Sequence, residues 1–185
     1  MAKAVLISIR PEWVEKILAG EKTLEVRKTR PNMGTPFKCY IYCTNSGVAM
    51  GMWGKHGKVV GEFFCDKITW LTHVGFSGLL GIRLSAMKNG HTIDDSFDFS
   101  KSCLTTPQIE KYLGGKDGYA WHISDLKIYD DPKQLNRFKP WNRECKYNDL
   151  GFAIPNCGTC QDCIVKKPPQ SWCYVEELKP EGAGR

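Results

Sequence analysis

Residues 4 to 28 constrain the fold most tightly, because their hydrophobic period changes twice within a short span. Ala4 to Ile9 is a short apolar run with β-branched residues, the pattern of a buried strand. Pro11 follows where a helix would begin, since proline tolerates the first helical turn. Trp13, Val14, Ile17 and Leu18 share one face at helical spacing, and Gly20 stands where a left-handed cap would end the helix. Residues 22 to 28 then alternate as Lys-Thr-Leu-Glu-Val-Arg-Lys. This directs Leu24 and Val26 inward and projects Thr23, Glu25 and Arg27 together from the opposite face. Strand, helix and strand in this order predict a mixed α/β (α+β) class.

A chain of 185 residues holds one substantial core and is too short for two full-sized domains. The expectation is one domain over residues 1–178 and a disordered tail over 179–185. Hydrophobic residues make up 42% and charged residues 25%, ordinary globular usage that excludes a fibrous or disordered chain. The first apolar run meets Arg10, Pro11 and Glu12 too soon for a signal peptide or a membrane span. No other stretch reaches spanning length, so the cytoplasm is the expected compartment. Nine cysteines in that compartment should be mostly reduced, and an odd count fits a closed disulfide framework poorly.

Further along, Phe37 to Thr44 reads as a strand with Cys39, Ile41 and Cys43 on one face, and Lys58 to Leu71 as a longer one. A glycine-rich loop at 47–57 separates them. Residues 72–105 give little beyond a weak helix or strand around Leu79 to Met87. Thr106-Pro107 opens a short helix to about Leu113, closed by Gly114-Gly115. Gly118 to Tyr129 reads as one strand, closed by Asp130-Asp131-Pro132, and Gln170 to Leu178 as the last. Between these two lies an irregular insertion, residues 140–169.

The formal net charge of +6 matters less than its clustering. One cluster is Lys22, Arg27, Lys28, Arg30 and Lys38. The other is Lys133, Arg137, Lys139, Arg143 and Lys146, interleaved with Phe138, Trp141 and Tyr147. Basic and aromatic residues together suit single-stranded nucleic acid, whose bases stack while its phosphates pair. Taken alone, each cluster fits a solvated basic face equally well.

Gly20-x-Lys22-x-x-Glu25-x-Arg27 matches the GxKxxExR signature of ASCH domains, and Leu6-Ile7-Ser8-Ile9-Arg10-Pro11 before it is also as that family has it. Tyr119-Ala120-Trp121-His122-Ile123 and Pro169-Gln170-Ser171-Trp172-Cys173-Tyr174-Val175 look like the terminal barrel strands of phage and bacterial ASCH proteins. The resemblance implies a PUA-like mixed β-barrel of about five or six strands with a few short helices. It also implies binding of RNA or a modified nucleoside beside the motif. The residues expected to do this are Arg10, Lys22, Glu25, Arg27 and Lys28, joined by Arg137, Lys139, Trp141 and Arg143. Physically, a Glu25–Arg27 pair can orient a guanidinium toward a phosphate or a base edge. A surface ion pair without further purpose fits the same spacing.

Two enzymatic readings stand beside binding. In the branch of the family that deacetylates N4-acetylcytidine, the resemblance implies a catalytic lysine at Lys22. That branch carries a threonine where this chain has Glu25, and an adjacent carboxylate opposes the lowered pKa that a lysine nucleophile or base needs. Some ASCH domains are described as ribonucleases, and Lys22, Glu25, Arg27 and His122 supply an acid, a base and a clamp in principle. A lone histidine in an apolar strand is more commonly a hydrogen-bonded core residue, and Trp121 and Trp172 read as core before they read as stacking platforms. The preferred reading is a non-enzymatic binding module. A hydrolase is the alternative, and a protein-interaction module with an exposed apolar patch is the third class.

Cys157-Gly-Thr-Cys160-Gln-Asp-Cys163 is a C-x2-C-x2-C run whose small residues let the backbone fold around an ion. Cys145 is the preferred fourth ligand over Cys173, which lies in an apolar strand. Structural zinc on Cys145, Cys157, Cys160 and Cys163 would supply the folding energy that the irregular insertion lacks. An iron–sulfur cluster or simply packed thiols are the alternatives. Cys39, Cys43, Cys65 and Cys103 are expected in the core.

Overall fold

The computed structural model describes residues 2–46, 54–75, 82–88, 91–93, 97–142 and 163–179. In chain order the elements are β1 (Lys3–Ile9), α1 (Pro11–Leu18), β2 (Leu24–Arg27), β3 (Phe37–Cys43), β4 (Val59–Cys65), β5 (Ile68–Gly75), β6 (Ile82–Lys88) and β7 (His91–Ile93). Then come α2 (Thr106–Leu113), β8 (Gly118–His122), β9 (Ser124–Lys133) and β10 (Trp172–Glu176). The class is mixed α and β with short helices. The strands hydrogen-bond as two five-stranded sheets, ordered β10-β1-β3-β4-β9 and β2-β8-β5-β6-β7, rather than as one closed ring of five or six. The chain divides into two compact units, one of residues 1–15, 37–63 and 126–185, the other of residues 16–36 and 64–125.

In the first unit β1 lies between β3, to which it is parallel, and β10, to which it is antiparallel. Six of the seven β1 residues are buried, which explains the continuous apolar run: a strand covered on both faces does not alternate. Ala4, Leu6, Tyr40, Tyr42, Val59, Phe138, Val165 and Val175 form the core there. The Tyr40 ring meets Phe138 edge-on at 4.9 Å, and its hydroxyl accepts the Leu178 N–H at 2.8 Å. Lys38 Nζ lies 2.6 Å from Glu177 and 3.5 Å from Glu62, while the Tyr129 hydroxyl donates to Glu62 at 2.5 Å. The ties of Tyr40 and Lys38 fasten Leu178 and Glu177 to the sheet, and that of Tyr129 joins β9 to β4. At Gly61 a Cβ would stand 2.6 Å from the backbone oxygen of Lys127, so glycine is what lets β4 and β9 approach.

The second unit has its own core of Leu24, Val26, Leu71, Ile109, Leu113 and Ala120. Helix α2 runs Thr106–Leu113 as expected, its cap lying at Thr105, which bonds reciprocally with Gln108, and it ends at Gly114 in the left-handed conformation. Where the sequence suggested one strand from Lys58 to Leu71, the chain makes two, β4 and β5, broken at Asp66-Lys67. Gly118 to Tyr129 likewise divides at Ile123 into β8 and β9. Strand β9 also runs past Asp130-Asp131-Pro132 to Lys133. It is the last strand of its sheet, and an edge strand tolerates a proline that has no N–H to donate. The poorly legible segment 72–105 contributes the end of β5, β6 and β7, and the 3-10 turn Phe99–Ser102. No helix among the described residues is long and apolar enough to cross a membrane.

Candidate nucleic-acid interface

The motif residues are placed by the end of α1. Gly20 has φ +75°, the left-handed region that glycine enters without steric cost, and its N–H bonds to Ile17 O at 3.0 Å. The N–H groups of Glu21 and Lys22 both return to Lys16 O, at 2.9 and 3.0 Å. The chain therefore turns sharply and enters β2 with Lys22 directed inward. Lys22 is 2% exposed.

Its ammonium has three acceptors around it: Leu24 O at 2.8 Å, Ser102 O at 2.7 Å and Glu25 Oε2 at 3.2 Å. Three donors meeting three acceptors is the full capacity of a lysine ammonium. The other carboxylate oxygen of Glu25 lies 3.0 Å from Arg27 Nε. One buried carboxylate thus sits between two buried cations, and all three residues are under 10% exposed. The surface ion pair suggested by spacing alone is replaced by a buried chain of two cations sharing one carboxylate, with a net positive charge. The Arg27 contact is an ion pair at close range rather than an aligned hydrogen bond at Nε, so the carboxylate places the guanidinium by charge and burial.

The partner of Lys22 from outside the motif is the 3-10 turn Phe99–Ser102, a part of the chain that the sequence left unassigned. Asp98 caps it, accepting from the Ser100 N–H and hydroxyl, and the Ser102 hydroxyl donates to Phe99 O at 2.7 Å. Lys101 O accepts the Thr23 N–H at 2.9 Å. The turn is therefore bonded to the motif at successive carbonyls, Lys101 and Ser102. An aspartate two residues before a serine was the sequence signal for that turn, but nothing local says that it meets residues 22 and 23.

Strand register defines the two faces of β2. Leu24, Val26, Ala120 and Leu71 point into the core. On the other face Glu25 pairs with Trp121 and Ile68, and Arg27 with Tyr119 and Trp70, across β2, β8 and β5. Exposure rises along that face, from 0% at Trp121 to 39% at Trp70. The Arg30 guanidinium lies 5.8 Å over the Tyr119 ring. Trp70 carries no motif signal, Tyr119 stands in the family-like segment 119–123 without a binding role assigned to it there, and the two become visible as neighbours only through the pairing.

His122 lies on the core side. Its Nε2 is 3.0 Å from Thr69 Oγ1, and burial, reinforced by Lys67, pushes its pKa below the ordinary histidine value. The histidine is hydrogen-bonded as the apolar strand suggested, but half-buried at the edge of the core rather than within it. Trp121 is fully buried, and Trp172 packs edge-on against Tyr174 at 5.3 Å. Lys28 is exposed, with its ammonium 5.1 Å above the Tyr112 ring.

The remaining basic residues belong to the first unit. Arg10 has a 70% exposed side chain 3.9 Å from Glu12. Arg137 is exposed at the end of a 3-10 turn, while Lys139 and Trp141 are half-buried. Their backbone runs along β10: Lys139 O accepts the Glu176 N–H at 2.9 Å, and the Trp141 N–H reaches Tyr174 O at 3.1 Å. Phe138, read with the aromatic cluster, is wholly buried in that unit's core. Arg143, Cys145, Cys157 and Cys160 lie outside the described residues. Cys163 is 4% exposed, and the described residues hold no group of three metal-ligating side chains. Cys39, Cys43 and Cys65 are buried as expected, and Cys103 is half-buried in a left-handed turn position, φ 56°.

No family model matches the sequence, and no curated protein matches it. Among solved structures, the chain is similar to ASCH from Zymomonas mobilis, with 18% identity over 94% of this chain and 88% of that one and a TM-score of 0.54. A tyrosine-to-phenylalanine variant of that protein matches at 19% identity over 95% and 92%, TM-score 0.55. The chain has the fold of these ASCH proteins.

Proposed function

We propose, on the premise of that fold, that the chain binds RNA or a modified nucleoside on the face of the second unit that carries Glu25 and Arg27. The observation that supports this most is the Lys22–Glu25–Arg27 chain, which fixes a guanidinium at the head of a row continued by Tyr119 and Trp70. A guanidinium buried against a carboxylate is pre-organised for a phosphate or a base edge, and planar neighbours suit a base. Lys28 and Arg30 add exposed positive charge to the same strand end.

Hydrolysis is the second reading, and the geometry favours it less. A lysine nucleophile needs an accessible lone pair, whereas the Lys22 ammonium has three acceptors around it and almost no exposure. Lys22 serves in this reading of the site as a bracket that positions Glu25. The cysteine segment is proposed to bind structural zinc through Cys145, Cys157, Cys160 and Cys163, on the strength of its spacing.

The test is fluorescence-anisotropy titration of a short single-stranded RNA with wild type, Arg27→Gln and Lys28→Ala at two salt concentrations. The RNA is examined afterwards for cleavage. Salt-dependent binding that weakens in both variants, with the RNA intact, supports the binding module. Cleavage that Arg27→Gln abolishes would make the protein a ribonuclease, and no binding of RNA or of free nucleosides would remove the reading.

A further inference from the structure

We infer that Trp70, with Tyr119 and Arg30, forms a stacking platform for the bases of a single strand, locked in place by Asp117. This deepens the proposed function and rests on it.

Trp70 stands directly across from Tyr119, and Tyr119 directly across from Arg27. Residues opposed in this way have side chains about 5 Å apart on one face. Trp70 is one of few large apolar side chains exposed among the described residues, at 39%. It is nevertheless held by a side-chain bond. Its Nε1 donates to Asp117 Oδ2 at 3.0 Å, and the other oxygen of that carboxylate accepts from Thr72 Oγ1 at 2.7 Å. Thr72 lies two residues along β5 from Trp70 on the same face. Asp117 therefore bridges two neighbouring side chains and ties the polar edge of the indole, so the exposed part of the ring is apolar.

An exposed tryptophan that only covered core would not need its nitrogen tied by a loop carboxylate, because water satisfies it. Fixing the ring beforehand removes the entropy that a base would otherwise have to extract on stacking. Arg30 over Tyr119 at 5.8 Å supplies a second planar group and a positive charge beside it. Aromatic rings beside cations match a strand that offers a base and a phosphate at each step, and stacking tolerates any base because each has a π face. A duplex offers phosphates without unstacked bases, and a free nucleoside offers a base without its neighbours.

The experiment uses the full chain and a labelled oligouridylate of about ten nucleotides, within the site size of such proteins. Salt is set at about 50 and about 200 mM, where phosphate contacts differ in weight. Trp70→Ala is expected to weaken binding roughly 5- to 150-fold with an unchanged salt dependence, while Trp70→Phe retains most of the affinity. Arg30→Gln should lower the salt slope by about one. Asp117→Ala should weaken binding in the wild-type background and have no further effect in Trp70→Ala, as expected of a positioning residue that acts through the indole.

If wild type binds and Trp70→Ala binds equally well, the platform falls while the proposed function stands. If wild type binds neither oligonucleotide nor nucleoside, both fall together. Competition by a duplex as effective as the single strand, or displacement by free uridine at comparable concentration, would overturn the single strand as occupant.

Discussion

Lys22 Nζ and Glu25 Oε2 lie 3.2 Å apart with their side chains 2% and 9% exposed. The pair owes its existence to Gly20, whose positive φ turns the chain so that residue 22 enters the interior, and to Ser102, whose carbonyl gives the ammonium a further partner.

Removing the carboxylate leaves two buried cations without their counter-charge. Glu25→Ala is expected to destabilise the protein by about 3–5 kcal/mol, the cost of breaking a buried pair by deleting one partner. Lys22→Met, which keeps the aliphatic stem but abandons the carbonyls of Leu24 and Ser102, should cost a comparable amount. Urea denaturation measures both. A fully stable Lys22→Met would show that the ammonium is no bracket, and would restore the case for a reactive lysine.

His122 makes stability depend on pH in one direction. Its folded pKa lies below the ordinary value of 6.5, chiefly through burial and then through Lys67. Below that ordinary value the unfolded chain takes up a proton that the folded protein still refuses. The contribution is thus fully present above about pH 6.5 and is lost as pH falls toward the folded pKa. Substituting His122→Gln should flatten this part of the stability curve relative to wild type, without altering the curve above neutral pH. Equal slopes for the two proteins would contradict the assignment.

The elements with strong local signals were legible in the sequence. Proline and glycine marked α1, Thr106-Pro107 marked the start of α2, and period-two alternation placed Leu24 and Val26 in the core. What escaped was non-local. Nothing near residue 70 says that Trp70 will face Tyr119, and the pairing of Lys22 with Ser102 spans 80 positions. The break at Asp66-Lys67 was also hidden, because the apolar residues on either side continue the same texture. The basic-aromatic segment shows the limit of composition as a guide: Phe138 and Arg137 are neighbours, yet one is core and the other is solvated.

That contrast is measurable. Phe138→Ala removes a ring that is 0% exposed and meets Tyr40 edge-on at 4.9 Å, so it should cost about 3–5 kcal/mol. Arg137→Ala, one residue away on the surface, should leave stability nearly unchanged. If the segment's role is to bind RNA, Arg137→Ala alters affinity and its salt dependence instead. Thermal unfolding of the two variants side by side separates packing from recognition within two adjacent residues.

Zinc has a similarly separable signature. Burial pushes the thiol of Cys43 up to about 11, that of Cys65 to about 12 and that of Cys173 to about 11. These three should react slowly with a thiol reagent near neutral pH, because the thiolate is the reactive form. If Cys145, Cys157, Cys160 and Cys163 hold zinc, the purified protein carries about one metal ion per chain and a chelator unmasks about four further thiols. Chelation should also lower the melting temperature, since the binding free energy of a structural metal is folding free energy, and Cys157→Ser should reproduce that loss without chelator. Elemental analysis by mass spectrometry together with thiol titration before and after chelation gives the answer. Absence of metal with identical titration curves would assign the segment's cysteines to packing, and an iron signal would replace zinc with a cluster.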